Sequence, residues 1–214
     1  MSPFNTLIGF SNLVSRQAEN NEMDAVASSA NLMKGAAAQT KDLLVNLLEW
    51  SRTQTGSIAF NPEWIDIQFI INEIVGLLKV TAGQKGLELK FESQLESSSI
   101  WADKYMLSTI LRNLISNAIK YTYPGGLVIV SFHKNDNEWH FSVKDNGVGM
   151  TSIVCEQLFE IGAHKSEAGT QKEQGTGLGL ILCKEFIEKH SGKIWVESRV
   201  GEGTKFYFTL PIRS

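Results

Sequence analysis

The sequence predicts an α+β protein in two parts: a helical hairpin over residues 1–58, then an α/β sandwich with a mixed sheet over 59–214. Three observations carry this. A four-three apolar repeat runs through the first part. Strand-like and helix-like patterns alternate through the second. Between them the helical pattern stops at Thr53-Gln54-Thr55-Gly56-Ser57, and Asn61-Pro62 confirms the break.

The repeat is Val26, Ala30, Met33, Ala37, Thr40, Leu44, Leu47 and Ser51, the seam of a coiled coil or bundle helix. An earlier stretch places Phe4, Leu7, Ile8, Ser11 and Val14 on one face, and the polar Glu19-Asn20-Asn21-Glu22 reads as the turn between them. Two helices cannot enclose a core on all sides. The expectation is therefore a homodimer with a four-helix bundle, or a hairpin packed against the rest of its own chain.

In the second part, 64–67 reads as a short strand and 68–80 as an amphipathic helix. Strands are expected at 87–91 and 99–101, and a helix over 103–121 with Asp103 as N-cap. Residues 127–134 and 138–144 read as a strand pair joined through Asn135-Asp136-Asn137. A glycine-rich stretch follows, then a helix over 178–190 and strands at 193–198 and 204–210. Helices are expected on one face of the sheet.

Composition narrows the function classes. The chain has 214 residues, 43% hydrophobic and 20% charged, with mean hydropathy −0.09. A sizeable core is available, and a disordered, collagen-like or disulfide-scaffold chain is excluded. The net charge of −3 offers no bulk basic field for nucleic acid or anionic lipid. Cys155 and Cys183 lie in no paired or metal-like spacing and are expected as reduced, buried thiols. No run approaches the roughly 18 apolar residues of a membrane span, and the start is not a secretory leader. A cytoplasmic module is expected, whose parent protein could still be membrane-bound.

Three motifs carry chemistry. Asn113, Asn117 and Lys120 fall at i, i+4 and i+7 of the 103–121 helix and share one face. Asparagine is a poor helix former, so the stripe reads either as a solvated face or as one turned to a ligand. A carboxamide oxygen can ligate Mg²⁺, and a lysine can meet phosphate. Next, Asp145-Asn146-Gly147-Val148-Gly149 ends a strand. It is either a plain turn or a carboxylate placed for an exocyclic amine beside a backbone that can approach a ligand. Last, Gly175-Thr176-Gly177-Leu178-Gly179 opens a helix. It is either a flexible lead-in or a set of free N–H groups for phosphate. Its spacing is neither the Rossmann fingerprint nor a P-loop. The 161–174 stretch has the composition of a mobile loop, a lid or a surface loop, with Leu158-Phe159 before it.

Taken in order, Asn113-x-x-x-Asn117-Ala-x-Lys120-Tyr121, Asp145-x-Gly147-x-Gly149, Phe159 and Gly175-Thr-Gly-Leu-Gly179 resemble the N, G1, F and G2 boxes of sensor histidine kinases. These belong to the ATPase superfamily shared with gyrase, heat-shock chaperones and mismatch-repair ATPases. The resemblance covers nearly the whole chain. Gly192 to Pro211 is similar to the family's closing strands. Ser2-Pro3-Phe4-Asn5 resembles the end of the phosphoacceptor box, whose histidine and acidic neighbour would lie before Met1, so a truncation is expected. His133, His140, His164 and His190 match no acceptor motif. Each is expected to be structural or solvated, and His190, near a helix C-terminus, would be favoured there when charged.

The resemblance implies ATP and Mg²⁺ as cofactors, with Asn117 on the metal and Asn113 supporting metal and phosphates. It implies Lys120 and Tyr121 facing the nucleotide, and Asp145 on the adenine amino group with Gly147 and Gly149 shaping the pocket. Gly175, Thr176, Gly177, Leu178 and Gly179 would wrap the phosphates, with Lys165 or Lys172 at the γ-phosphate. Ser2 leaves phosphatase activity open. The implied reaction is transfer from ATP to a histidine and on to an aspartate of a response-regulator receiver domain. The chain is expected to bind Mg-ATP without autophosphorylating. The alternatives are a clamp or chaperone ATPase of the superfamily and a catalytically silent dimerisation scaffold.

Overall fold

The computed structural model describes residues 3–54, 58–93, 98–135, 137–160, 169–171 and 177–213. The chain divides into two compact units, Met1–Arg52 and Thr53–Ser214. The division falls a few residues before the expected 58–59, at Arg52/Thr53, and the side chain of Ile58 packs against the second unit's core.

The first unit is the expected hairpin, α1 (Pro3–Glu19) and α2 (Met23–Gln54). The turn closes through the Asn20 N–H on the Arg16 carbonyl (3.1 Å) and the Glu22 N–H on the Gln17 carbonyl (2.9 Å). Asn21 takes φ 57°, a left-handed value that asparagine tolerates. Along the seam, Val26, Ala30 and Met33 are half-buried and Thr40 is buried, whereas Ala37, Leu44, Leu47 and Ser51 are exposed. On α1, Leu7 and Val14 are half-buried, but Ile8 and Ser11 face solvent. One hairpin thus covers only part of its own apolar face. The side chain of Phe4 lies outside the described residues.

The second unit contains β1 (Glu63–Asp66), α3 (Ile67–Gln84), β2 (Glu88–Ser93), β3 (Ser99–Ala102), α4 (Lys104–Tyr121), β4 (Leu127–Lys134) and β5 (Glu138–Asp145). It continues with α5 (Ser152–Gln157), α6 (Gly179–Lys189), β6 (Ile194–Arg199) and β7 (Gly203–Pro211). The main sheet has the order β2-β4-β5-β7-β6, with β2 and β4 parallel and the other neighbours antiparallel. It is the mixed sheet expected. β1 and β3 do not join it; they pair with each other as a separate antiparallel ribbon.

Helix starts follow their caps. The Asp66 carboxylate accepts from the Gln68 and Phe69 N–H groups (2.9 and 3.2 Å) and starts α3 one residue before the expected 68. Asp103 caps α4 through the Met106 N–H (3.0 Å), as its sequence position predicts. The short helix α5, capped by Thr151, has no counterpart in the sequence reading.

The core lies on one face of the sheet. Val128, Val130 and Phe132 of β4, Trp139, Phe141 and Val143 of β5, and Phe206 and Phe208 of β7 are buried in one cluster with the inner faces of α3, α4 and α6. Phe141 and Phe208 stack at 4.4 Å. Each such buried side chain contributes about 1.5–3 kcal/mol. The opposite face is polar and aromatic: the Ser131 and Ser142 hydroxyls pair at 2.8 Å, and His133 stacks on His140 at 5.0 Å.

One local expectation needs correction. Cys183 is buried, and burial pushes its thiol up, but Cys155 on α5 is only half-buried. His190 has a structural role, one of the two expected for it. It is buried, its Nδ1–H donates to the Phe186 carbonyl (2.7 Å), and its Nε2 accepts from the Asp103 N–H (3.0 Å). Burial lowers its pKa from 6.5 and keeps the ring neutral. Among the described residues no helix is long and apolar enough to cross a membrane.

Candidate functional site

Helix α4 supplies the first wall. Met106, Leu107, Ile110, Leu111, Leu114, Ile115 and Ala118 face the core. That leaves Asn113, Asn117 and Lys120 half-buried on the other flank. Asn113 donates from Nδ2 to the Thr109 carbonyl (3.1 Å), which fixes the amide and leaves Oδ1 outward. The Asn117 carboxamide makes no hydrogen bond among the described residues. Lys120 Nζ donates to the Tyr121 hydroxyl at 2.8 Å and lies 4.5 Å above that ring.

The end of α4 is held by residues the sequence reading did not single out. The buried Lys85 ammonium donates to the Ile119 and Lys120 carbonyls (2.8 and 2.7 Å), satisfying acceptors a helix end otherwise leaves bare. Thr170, noted only as part of the loop, donates its N–H to the Lys120 carbonyl and its hydroxyl to the Thr122 carbonyl (3.1 and 2.9 Å). Nothing in the local pattern around Gln84-Lys85-Gly86 signals a long-range cap.

The second wall is the turn after β5. Asp145 is the last residue of that strand and is 4% exposed. Its Oδ1 accepts the N–H groups of Gly147 (2.9 Å) and Thr204 (3.2 Å). Oδ2 has no hydrogen bond among the described residues and remains an open acceptor. Burial raises the carboxyl pKa from 3.8 to about 6, against those two N–H groups, which lower it. The turn is pressed onto α4: the Val148 N–H donates to the Tyr121 carbonyl (3.0 Å), and a Cβ on Gly147 would collide with that same carbonyl. Gly149 has φ +65° and lies against the Arg199 carbonyl. These glycines serve close backbone approach within the fold. Thr204 belongs to the site through its N–H, a role visible only in the β5–β7 register, where Asp145 faces Thr204.

The third wall is the start of α6. The helices α3, α4 and α5 have side-chain caps, whereas α6 begins at Leu178 with no side-chain cap among the described residues. Gly177 takes φ +74°, and Gly179 abuts the Asn113 carboxamide. The structure therefore brings Asn113 against Gly179, and Lys120 and Gly147 against Tyr121, with Asn117 on α4 between the two sets and Asp145 at the end of β5. Phe159 is half-buried and packs against the core. Lys165, Lys172, Gly175 and Thr176, and nearly all of the 161–174 loop, lie outside the described residues. So does Ser2.

The comparisons agree with this arrangement. Residues 102–214 match the family described as histidine kinase-, DNA gyrase B-, and HSP90-like ATPase. The chain is 35% identical over 175 residues to the sensor histidine kinase WalK of Bacillus subtilis, covering 80% of this chain and 28% of that protein. It is 31% identical over 213 residues to the histidine protein kinase DivJ of Caulobacter vibrioides, covering 99% of this chain and 35% of that one. The chain thus spans about a third of these relatives. Among solved structures, ShkA in complex with AMPPNP aligns with a TM-score of 0.75 at 24% identity, over 89% of this chain and 39% of that one. ThkA in complex with the response regulator TrrA aligns at 0.73 and 20%, over 99% and 59%. The asparagine stripe, the buried Asp145 and the start of α6 all lie within the matched residues 102–214, and the chain belongs to the histidine kinase-, gyrase B- and HSP90-like ATPase family.

Proposed function

We propose that this chain is the ATP-binding core of a sensor histidine kinase, moving the ATP γ-phosphoryl group to a histidine and then to a response-regulator aspartate. The observation that carries the reading is the meeting of Asn113 with Gly179, which joins the asparagine stripe to the glycine-flanked N-terminus of α6, where backbone N–H groups suit phosphate. ShkA holds AMPPNP on the same fold, and ThkA meets a response regulator.

In this reading Asp145 Oδ2 accepts from the adenine amino group, and Lys120 with the α6 N–H groups holds the phosphates. Gly175, Thr176 and Lys165 complete the phosphate end. Asn117, with Asn113 behind it, fits Mg²⁺: an unpartnered carboxamide oxygen is a neutral hard ligand. Bound there, the metal offsets phosphate charge. The protein's own part is to position and to surround developing charge with fixed dipoles. The exposed Leu44, Leu47 and Leu48 of α2 support a homodimer through the hairpin. The same reading makes the chain a cytoplasmic module.

The test is to place a phosphoacceptor box with its histidine ahead of Ser2, supply γ-labelled ATP with Mg²⁺, and assay the label's stability. Label lost in acid and kept in base is the expected phosphohistidine. Nucleotide binding with no label would instead favour a clamp-type ATPase or a silent scaffold.

A further inference from the structure

The segment leading into β1 is fastened to the ATP-binding unit at a defined place. Lys189 Nζ donates to the Ile58 carbonyl (3.0 Å), and the Asn61 N–H donates to Asp103 Oδ2 (2.9 Å). Phe60 meets His190 edge-on at 4.8 Å. Asp103 is shared: Oδ1 caps α4, Oδ2 holds the linker, and its N–H donates to His190.

These contacts sit at one end of a helix pair whose other end forms the nucleotide site. The helices α4 and α6 run antiparallel. Gly179 abuts Asn113 at the site end, the Cys183 thiol lies 3.8 Å from the Ile110 carbonyl midway, and His190 meets Asp103 at the far end. Phe60 is 40% exposed, so covering the core does not account for where it lies.

We propose that Lys189, Asp103 and His190, with Phe60, are positioning residues that anchor the linker and fix the point from which the ATP-binding unit is tethered. The proposal rests on the kinase reading. Freed from these contacts, residues 58–62 at up to about 3.5 Å each would add roughly 17 Å of reach. A longer tether dilutes the bound nucleotide around its acceptor and loosens its orientation, while the nucleotide site keeps its walls.

The test uses the whole chain with a phosphoacceptor box and its histidine placed ahead of Ser2. Wild type is compared with Phe60→Ala/Lys189→Met, which opens no core cavity, and with Lys189→Arg as the conservative rescue. In the double variant, amide exchange over 58–62 should quicken about tenfold. AMPPNP affinity should stay within about twofold, and single-turnover transfer to the histidine should slow about five- to tenfold. The Lys189→Arg protein should match wild type. Unchanged exchange, or faster exchange with unchanged transfer, overturns the anchor. So does a loss of affinity that accounts for the slower transfer. Absence of acid-labile label in wild type overturns the kinase reading, and this proposal with it.

Discussion

A Cβ placed on Gly179 would lie 2.7 Å from the carboxamide oxygen of Asn113, so the start of α6 reaches the asparagine stripe only because residue 179 has no side chain. Gly179→Ala should push Asn113 off its Thr109 bond. The expected outcome is an affinity for Mg-AMPPNP lowered about tenfold, or about 1.4 kcal/mol. The melting temperature should move by only a few degrees, since Asn113 is flexible and half-buried. Titration calorimetry beside a thermal melt checks both.

Asp145 sets function against stability. Its folded pKa of about 6 lies above the ordinary 3.8, so the native state binds the extra proton between those values. Stability therefore falls as pH rises from about 4 through 6, because the folded protein must hold a buried charge. Asp145→Asn keeps an oxygen for the Gly147 and Thr204 N–H groups. It should gain about 2 kcal/mol at pH 7.5 and lose about 100-fold in nucleotide affinity. Urea melts at pH 4.5 and 7.5 should show the fall in wild type and not in the variant.

His190 works with the opposite sign. Its folded pKa is depressed below 6.5, so its contribution is full above 6.5 and is lost as pH falls below that value. A cationic ring would also lose Nε2 as acceptor for the Asp103 N–H. The difference in stability between wild type and His190→Gln should shrink on going from pH 7.5 to pH 5.5. A difference that stays constant across that range would show that His190 holds the same charge in both states.

Two left-handed glycines should respond unequally to alanine. A Cβ on Gly149 collides with the Arg199 carbonyl, while one on Gly177 meets nothing within 4 Å among the described residues. Gly177→Ala should cost about 1 kcal/mol, the conformational term alone. Gly149→Ala should cost at least about 3 kcal/mol because backbone must move as well. Equal losses would mean that packing around the turn adds nothing.

The uncovered seam of α2 should govern assembly. Leu44→Glu/Leu47→Glu should turn a dimer into a monomer by light scattering while leaving the nucleotide affinity unchanged. A wild-type chain that is already monomeric at tens of micromolar would remove the bundle from the account.

Local information settled much of this protein. The seam from Val26 to Ser51 announces a long helix because its period is 3.5 to 3.6. Asp103 announces a helix start because its carboxylate answers N–H groups two and three residues on. The motif order from Asn113 to Gly179 was enough to indicate nucleotide chemistry, since each box is a short contiguous segment. Tertiary structure alone decided which distant groups share a carbonyl or a carboxylate. Asp145 meets Thr204 only through the β5–β7 register, Lys85 finds the end of α4 across 34 residues, and Asp103 meets both Asn61 and His190. The choice between a structural and a solvated His190 stayed open in the sequence for the same reason. A helix terminus is legible in sequence, but the desolvation that keeps the ring neutral comes from elements packed around it.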